Sequence, residues 1–142
     1  MAAIDQAMVS KIINATAPVG AAGIPGTWTA LSASAMKVRL NSTVSTASAA
    51  GTELTGTGYT AGGQALGNQC TASSAGSNVT LPATAALSWT NGSGGAWSIA
   101  SFDLTDNAGV RTWFAAFNGQ PISVANGNVF QIAVGGVTLA LT

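Results

Sequence analysis

The sequence predicts a mainly β protein, an antiparallel β-sandwich with one short N-terminal helix. Three observations carry that prediction. From Met36 onward, apolar and polar residues alternate with the period of a half-buried strand. The alternating runs recur at roughly 8–12-residue intervals with turn residues between them, as in an all-β sandwich. Only the N-terminus has a helical period, where Ile4, Met8 and Ile12 recur every four residues beside Val9 and Ile13. The expected organisation is a helix and arm over residues 1–26 and one sandwich domain over 27–142.

The helix has charges where its dipole favours them. Asp5 falls in the first turn and Lys11 near the end, and Pro18 stops the pattern. The "GAAGIPG" run that follows reads as a flexible arm. The single apolar stripe packs either on its own domain or on a neighbouring subunit. The second reading makes Ile4, Met8 and Ile12 interface candidates, with Trp28 beside them in "TWTAL".

The strands follow in order. In "MKVRLNS", Met36, Val38 and Leu40 alternate with Lys37, Arg39 and Asn41. A long loop of small residues is expected from Thr43 to Gly58, then a strand in "QALGNQC". "NVTLPATAALSWT" reads as two short strands divided by Pro82, which cannot donate to a ladder. "TNGSGGA" is a turn cluster. "WSIASFDLTD" alternates over Trp97 and Ile99 and, after a slip of phase, over Phe102 and Leu104. "DNAG" is a hairpin connector leading into the aromatic strand "VRTWFAAFNG". There Phe114 and Phe117 are expected on different faces. The remainder reads as three short strands, turning at Asn126-Gly127 and Gly135-Gly136.

Charge is the strongest global feature. The 142 residues include four Lys or Arg and four Asp or Glu, 6% of the chain, with zero net charge. Soluble domains average about 25% charged residues. So sparse a charge predicts a surface that neighbours cover or that Ser, Thr, Asn and Gln wet, and it favours association. Nucleic-acid binding is disfavoured, because phosphate contacts need Lys and Arg. No run is long and apolar enough to be a transmembrane helix, and Asp5 and Lys11 fit a secretory signal poorly. The sequons at Asn14, Asn41, Asn78 and Asn91 are what chance supplies in a chain rich in Ser and Thr.

Residue types also limit chemistry. There is no His, which removes a Cys–His nucleophile pair and a Cys/His zinc site for the single cysteine, Cys70. Asp103 and Asp106 are three apart in "DLTDNAG" and read first as turn chemistry. A calcium site at Asp103, Asp106 and Asn107 lacks the six to eight oxygens such an ion takes. Of the four tryptophans, Trp97 and Trp113 sit in strand patterns and are expected in the core, while Trp28 and Trp89 are less determined. A carbohydrate-stacking platform built from them is the alternative. No catalytic residue, metal or cofactor is expected.

The stretch "GTELTGTGYTAGGQAL", Gly51 to Leu66, lacks the nearby Lys of a phosphate-binding loop. Its glycines suit a shaped connection, and Glu53 and Tyr59 are its only distinctive side chains. Tyr59 is expected over the sandwich, with Glu53 held by backbone N–H groups or by Arg39 or Arg111. Gly51, Glu53, Leu54, Gly56, Gly58 and Tyr59 form an ordered series with Leu81-Pro82-Ala83, Trp97, Phe102, Asp106, Trp113, Val124, Asn126 and Gly127. That series resembles small phage virion structural proteins of the actinobacteriophage type, labelled tail fibre, minor structural or capsid decoration proteins. One departure is Ala61, where many relatives carry a basic residue two positions after the Tyr. The resemblance implies a non-enzymatic virion role, made in the host cytoplasm and placed on the particle. A capsid decoration subunit, a homo-oligomer (most simply a trimer) seated on the major capsid protein, is the leading expectation. A tail or tail-fibre component, or a receptor- or carbohydrate-binding module, is the alternative.

Overall fold

The computed structural model describes residues 36–67, 78–106 and 108–140, with the backbone of 3–4, 18–19, 24–25 and 71–72. In chain order the strands among them are β1 (Ala3–Ile4), β2 (Pro18–Val19), β3 (Ile24–Pro25), β4 (Lys37–Asn41), β5 (Gln64–Ala65), β6 (Thr71–Ala72) and β7 (Asn78–Leu81). They continue as β8 (Leu87–Thr90), β9 (Trp97–Ile99), β10 (Ser101–Thr105), β11 (Arg111–Ala116), β12 (Ile122–Val124), β13 (Val129–Ile132) and β14 (Val137–Ala140). The protein is mainly β and every pairing is antiparallel. The described residues include no helix long and apolar enough to cross a membrane.

The largest sheet has the order β1-β11-β10-β4-β5. Its centre is β10, where Phe102 lies opposite Leu40 of β4 and Ala115 of β11, and Leu104 lies opposite Val38 and Trp113. These side chains share one face because cross-strand partners point the same way. The smaller sheets are β12-β9, β13-β8, β14-β7-β6 and β2-β3. Their buried side chains, among them Trp97, Ile99, Trp89, Phe130, Leu81 and Leu139, join Val38, Leu40, Phe102 and Leu104 in one hydrophobic cluster. Burying each such side chain contributes roughly 1.5–3 kcal/mol.

The slip of phase between Ile99 and Phe102 has a structural cause. Strand β9 ends at Ile99 and pairs with β12, whereas β10 begins at Ser101 and pairs with β4 and β11. Ala100 joins them and is stitched on both sides. Its N–H donates to the Asn41 carbonyl at 2.8 Å, and its own carbonyl accepts from Phe117 N–H at 3.0 Å. A second irregularity lies on β11. Leu104 opposes Trp113 but Thr105 opposes Arg111, which makes Thr112 the extra residue of a β-bulge. The Thr112 hydroxyl donates to the Leu104 carbonyl at 3.1 Å.

Three features go beyond local pattern or against it. First, all five residues of β10 are buried, Ser101, Asp103 and Thr105 included. On that face Ser101 bonds Thr43 and Ser45 of the 42–52 loop, and Asp103 pairs with Arg39. Second, the loop expected from Thr43 to Gly58 is present and folds back on β4. Ser42 N–H donates to the Thr52 carbonyl at 2.8 Å and Leu54 N–H to the Leu40 carbonyl at 2.9 Å. Third, Ile4 was expected in a helix, but the Ala3–Ile4 backbone pairs with Phe114 and Trp113 of β11. Strand pairing with a sheet edge takes precedence there over local periodicity. The rest of that helix, with Met8 and Ile12, lies outside the described residues, and so does Trp28. The stretch expected as a flexible arm holds a short ladder of Pro18–Val19 against Ile24–Pro25.

Candidate functional site

The distinctive residues of the Gly-rich stretch converge beside the end of β4. Glu53 forms a β-bridge with Asn41, and Leu54 next to it enters the core. The chain then turns through Gly56 and Gly58 to reach Tyr59. Gly58 has φ +93° and lies so close to β8 that a Cβ would fall 1.8 Å from the Thr90 carbonyl oxygen. No L side chain fits there, which accounts for glycine at that position.

A backbone N–H holds Glu53, as expected, and Tyr59 joins it as a partner that the sequence did not point to. The Tyr59 hydroxyl donates to Glu53 Oε1 at 3.1 Å and accepts the Leu40 N–H at 3.2 Å. Glu53 Oε1 also accepts the Gly62 N–H at 2.5 Å. The Tyr59 ring packs against the core and stands edge-on to Trp97, 6.5 Å between centroids at 87°. Burial, followed by the nearby Glu53 carboxylate, pushes the Tyr59 phenol well above its ordinary value. The phenol is therefore a fixed neutral donor. A cleft of about 330 Å³ opens next to this loop, walled by Ser42, Thr52, Glu53, Ser93, Trp97 and Ser98.

Neither arginine holds Glu53. Arg39 Nη2 pairs with Asp103 Oδ2 at 2.5 Å across β4 and β10, where the two residues are cross-strand partners. Asp103 is 0% exposed and Arg39 18%. Arg111 lies 5.0 Å above the Phe114 ring and donates to the Ala49 and Ala47 carbonyls at 2.8 and 3.3 Å. It thereby ties β11 to the 42–52 loop. Phe117 packs instead against Phe102 and Phe130, so the two phenylalanines do serve different faces.

A polar seam, which sequence reasoning missed, fastens that loop from inside. Ser101 Oγ donates to the Thr43 carbonyl at 2.8 Å and accepts from Asn41 Nδ2 and Ser45 N–H, both at 3.2 Å. Ser45 Oγ accepts from Gly51 N–H at 2.8 Å and from Asn41 Nδ2 at 3.1 Å. Asn91 is a second internal clamp. Its Nδ2 donates to the Gly95 and Val124 carbonyls, and its Oδ1 accepts from the Ser93 N–H and hydroxyl. The only signal for either clamp was an Asn at a strand end, which is too common to single out.

The carboxylates at described positions all have internal work. Asp103 serves Arg39, and Glu53 serves Tyr59 and Gly62. Asp106 Oδ1 accepts the Ala108 and Val110 N–H groups at 2.9 and 2.8 Å, the Asx turn its sequence predicts. Asp103 departs from the turn reading, because it lies mid-strand and faces Arg39. That separation also dissolves the calcium arrangement of Asp103 with Asp106. Among the described residues no group of His, Cys, Asp or Glu is gathered for a metal. Trp97 is buried as expected, Trp113 packs half-buried against the core, and Trp89 is buried against Phe130. Comparison with protein-family models, with curated proteins and with solved structures returns no match.

Proposed function

We propose that this chain is a non-enzymatic structural subunit of a phage virion, a capsid decoration protein that reinforces the head shell. It docks on the major capsid protein and associates with its own copies, most simply as a trimer. In this reading the antiparallel sheets form a β-sandwich presented to neighbours.

The observation that carries the proposal is where the few charges go. The chain has eight charged side chains. Arg39 and Asp103 neutralise one another inside, Glu53 is bonded within its loop, and Arg111 and Asp106 are spent on backbone groups. Apart from Lys37 and the partly exposed parts of these bonded charges, such as Arg111 and Asp106, the described surface is left to uncharged residues, among them Ser, Thr, Gly and valines such as Val129 and Val134, 55% and 54% exposed. A neutral surface of this kind suits a subunit packed among others, since it has little charge to desolvate on docking. The sugar-binding alternative draws less support. Trp89 and Trp97 are each 3% exposed, and a stacking platform needs open ring faces.

Reconstruction of whole particles tests the proposal. Density for the subunit is expected on the head surface, at positions shared by neighbouring capsomers. Particles stripped of it should lose heat resistance and regain it when the purified subunit is added back. Location at the tail tip, or absence from the particle, would overturn the reading.

A further inference from the structure

The chain has three Asn-Gly dipeptides, Asn91-Gly92, Asn118-Gly119 and Asn126-Gly127. This dipeptide is chemically labile. Glycine has no side chain to hinder its backbone nitrogen as it attacks the preceding carboxamide. Attack requires that nitrogen to be free of a hydrogen-bond acceptor, and it requires the Asn side chain to turn toward it. Folding therefore decides which of the three can react.

Two are blocked at both reacting groups. Gly92 N–H donates to the Thr57 carbonyl at 2.9 Å, and the Asn91 carboxamide is buried with its amide and carbonyl both engaged. Gly127 N–H donates to the Asn91 carbonyl at 2.6 Å, and Asn126 Oδ1 accepts the Gly94 N–H at 2.9 Å. Asn118-Gly119 differs from both at the two reacting groups. It lies in the exposed turn between β11 and β12. Among the described residues neither the Asn118 carboxamide nor the Gly119 N–H has a hydrogen-bond partner. A Cβ at Gly119 would meet nothing within 4 Å, as at Gly127, so the hydrogen bonds and not crowding separate these two turns.

We propose that Asn118 is a site of spontaneous deamidation, and that the fold protects Asn91 and Asn126 from the same reaction. The Gly119 backbone nitrogen, losing its proton, bonds to Asn118 Cγ. The carboxamide nitrogen takes up that proton and leaves as ammonia. Water then opens the cyclic imide at either carbonyl, giving aspartate or isoaspartate. No oxidant or other reactant is needed. One neutral side chain becomes a carboxylate, so the net charge moves from zero to one negative. The new charge stands at the lip of a groove of about 470 Å³ lined by Phe102, Ala115, Phe117, Ile122 and Val137.

The test is incubation of the whole folded chain at mildly alkaline pH, followed by peptide mapping and isoelectric focusing. Native protein should gain one acidic band and about one dalton, confined to the peptide holding Asn118. The Asn118→Gln variant should fold normally and lack that band. In urea, conversion should spread to Asn91 and Asn126. Conversion of Asn91 or Asn126 in native protein as fast as Asn118 would overturn the proposal. So would an unreacted Asn118 under conditions that convert the unfolded chain, or the same ranking of sites in urea as in the native state.

Discussion

Asp103 and Arg39, 64 residues apart in the chain, meet as cross-strand partners with the carboxylate fully buried. Removing one member strands the other. Asp103→Ala should cost about 3–5 kcal/mol, the range for breaking a buried pair. The double variant Arg39→Met with Asp103→Leu should recover most of that loss, because it leaves no unpaired charge. Urea unfolding of the two variants checks this. Equal destabilisation in both would show that packing, not the pair, sets the cost.

Tyr59 is the only tyrosine in the chain, so its titration can be followed by absorbance alone. Native protein should show no tyrosinate step near the ordinary value of 10.0, and unfolded protein should show one there. The folded state holds the phenolic proton more tightly than the unfolded state. Its contribution to stability is therefore complete below pH 10.0 and is lost as pH rises above it. Tyr59→Phe leaves the Leu40 N–H and Glu53 Oε1 short of a partner and should cost about 1–3 kcal/mol. A native tyrosinate step at the ordinary value would contradict the buried, bonded phenol.

Gly58 and Gly94 both have positive φ, +93° and +82°, but only Gly58 is hemmed in. Gly94→Ala pays backbone strain alone and should cost about 1–3 kcal/mol. Gly58→Ala adds a clash with the Thr90 carbonyl and should cost more, shifting the 51–63 loop away from β8. Thermal melting of the pair ranks them. Equal costs would mean that the loop is not held against β8.

Asn41 and Asn91 stand in sequons, yet both are fully buried and hydrogen-bonded. Expression through a secretory pathway should leave both without glycan on the folded protein. Asn91→Ala should cost about 1–3 kcal/mol, because the Val124 and Gly95 carbonyls lose their donor. Glycan found at Asn91 on natively folded protein would refute the clamp.

Much of the strand content was legible in the sequence, because alternation and turn residues act over a few positions. "MKVRLNS", the two strands flanking Pro82, the hairpin at Asp106 and the turns at Asn126-Gly127 and Gly135-Gly136 all occur where local pattern put them. The Glu53–Gly62 contact was partly legible, since a Gly-rich loop offers free N–H groups to a lone carboxylate, but the Tyr59–Glu53 bond was not. Only the tertiary structure decided that β9 and β10 belong to different sheets, that Arg39 takes Asp103 and not Glu53, and that the polar side of β10 is buried. Period-two alternation says which side chains share a face. It does not say whether that face meets water or a loop folded back from elsewhere in the chain. Those outcomes rest on partners distant in sequence, whose choice is made by the closing of one core and by the pairing of backbone and side-chain polar groups buried with it.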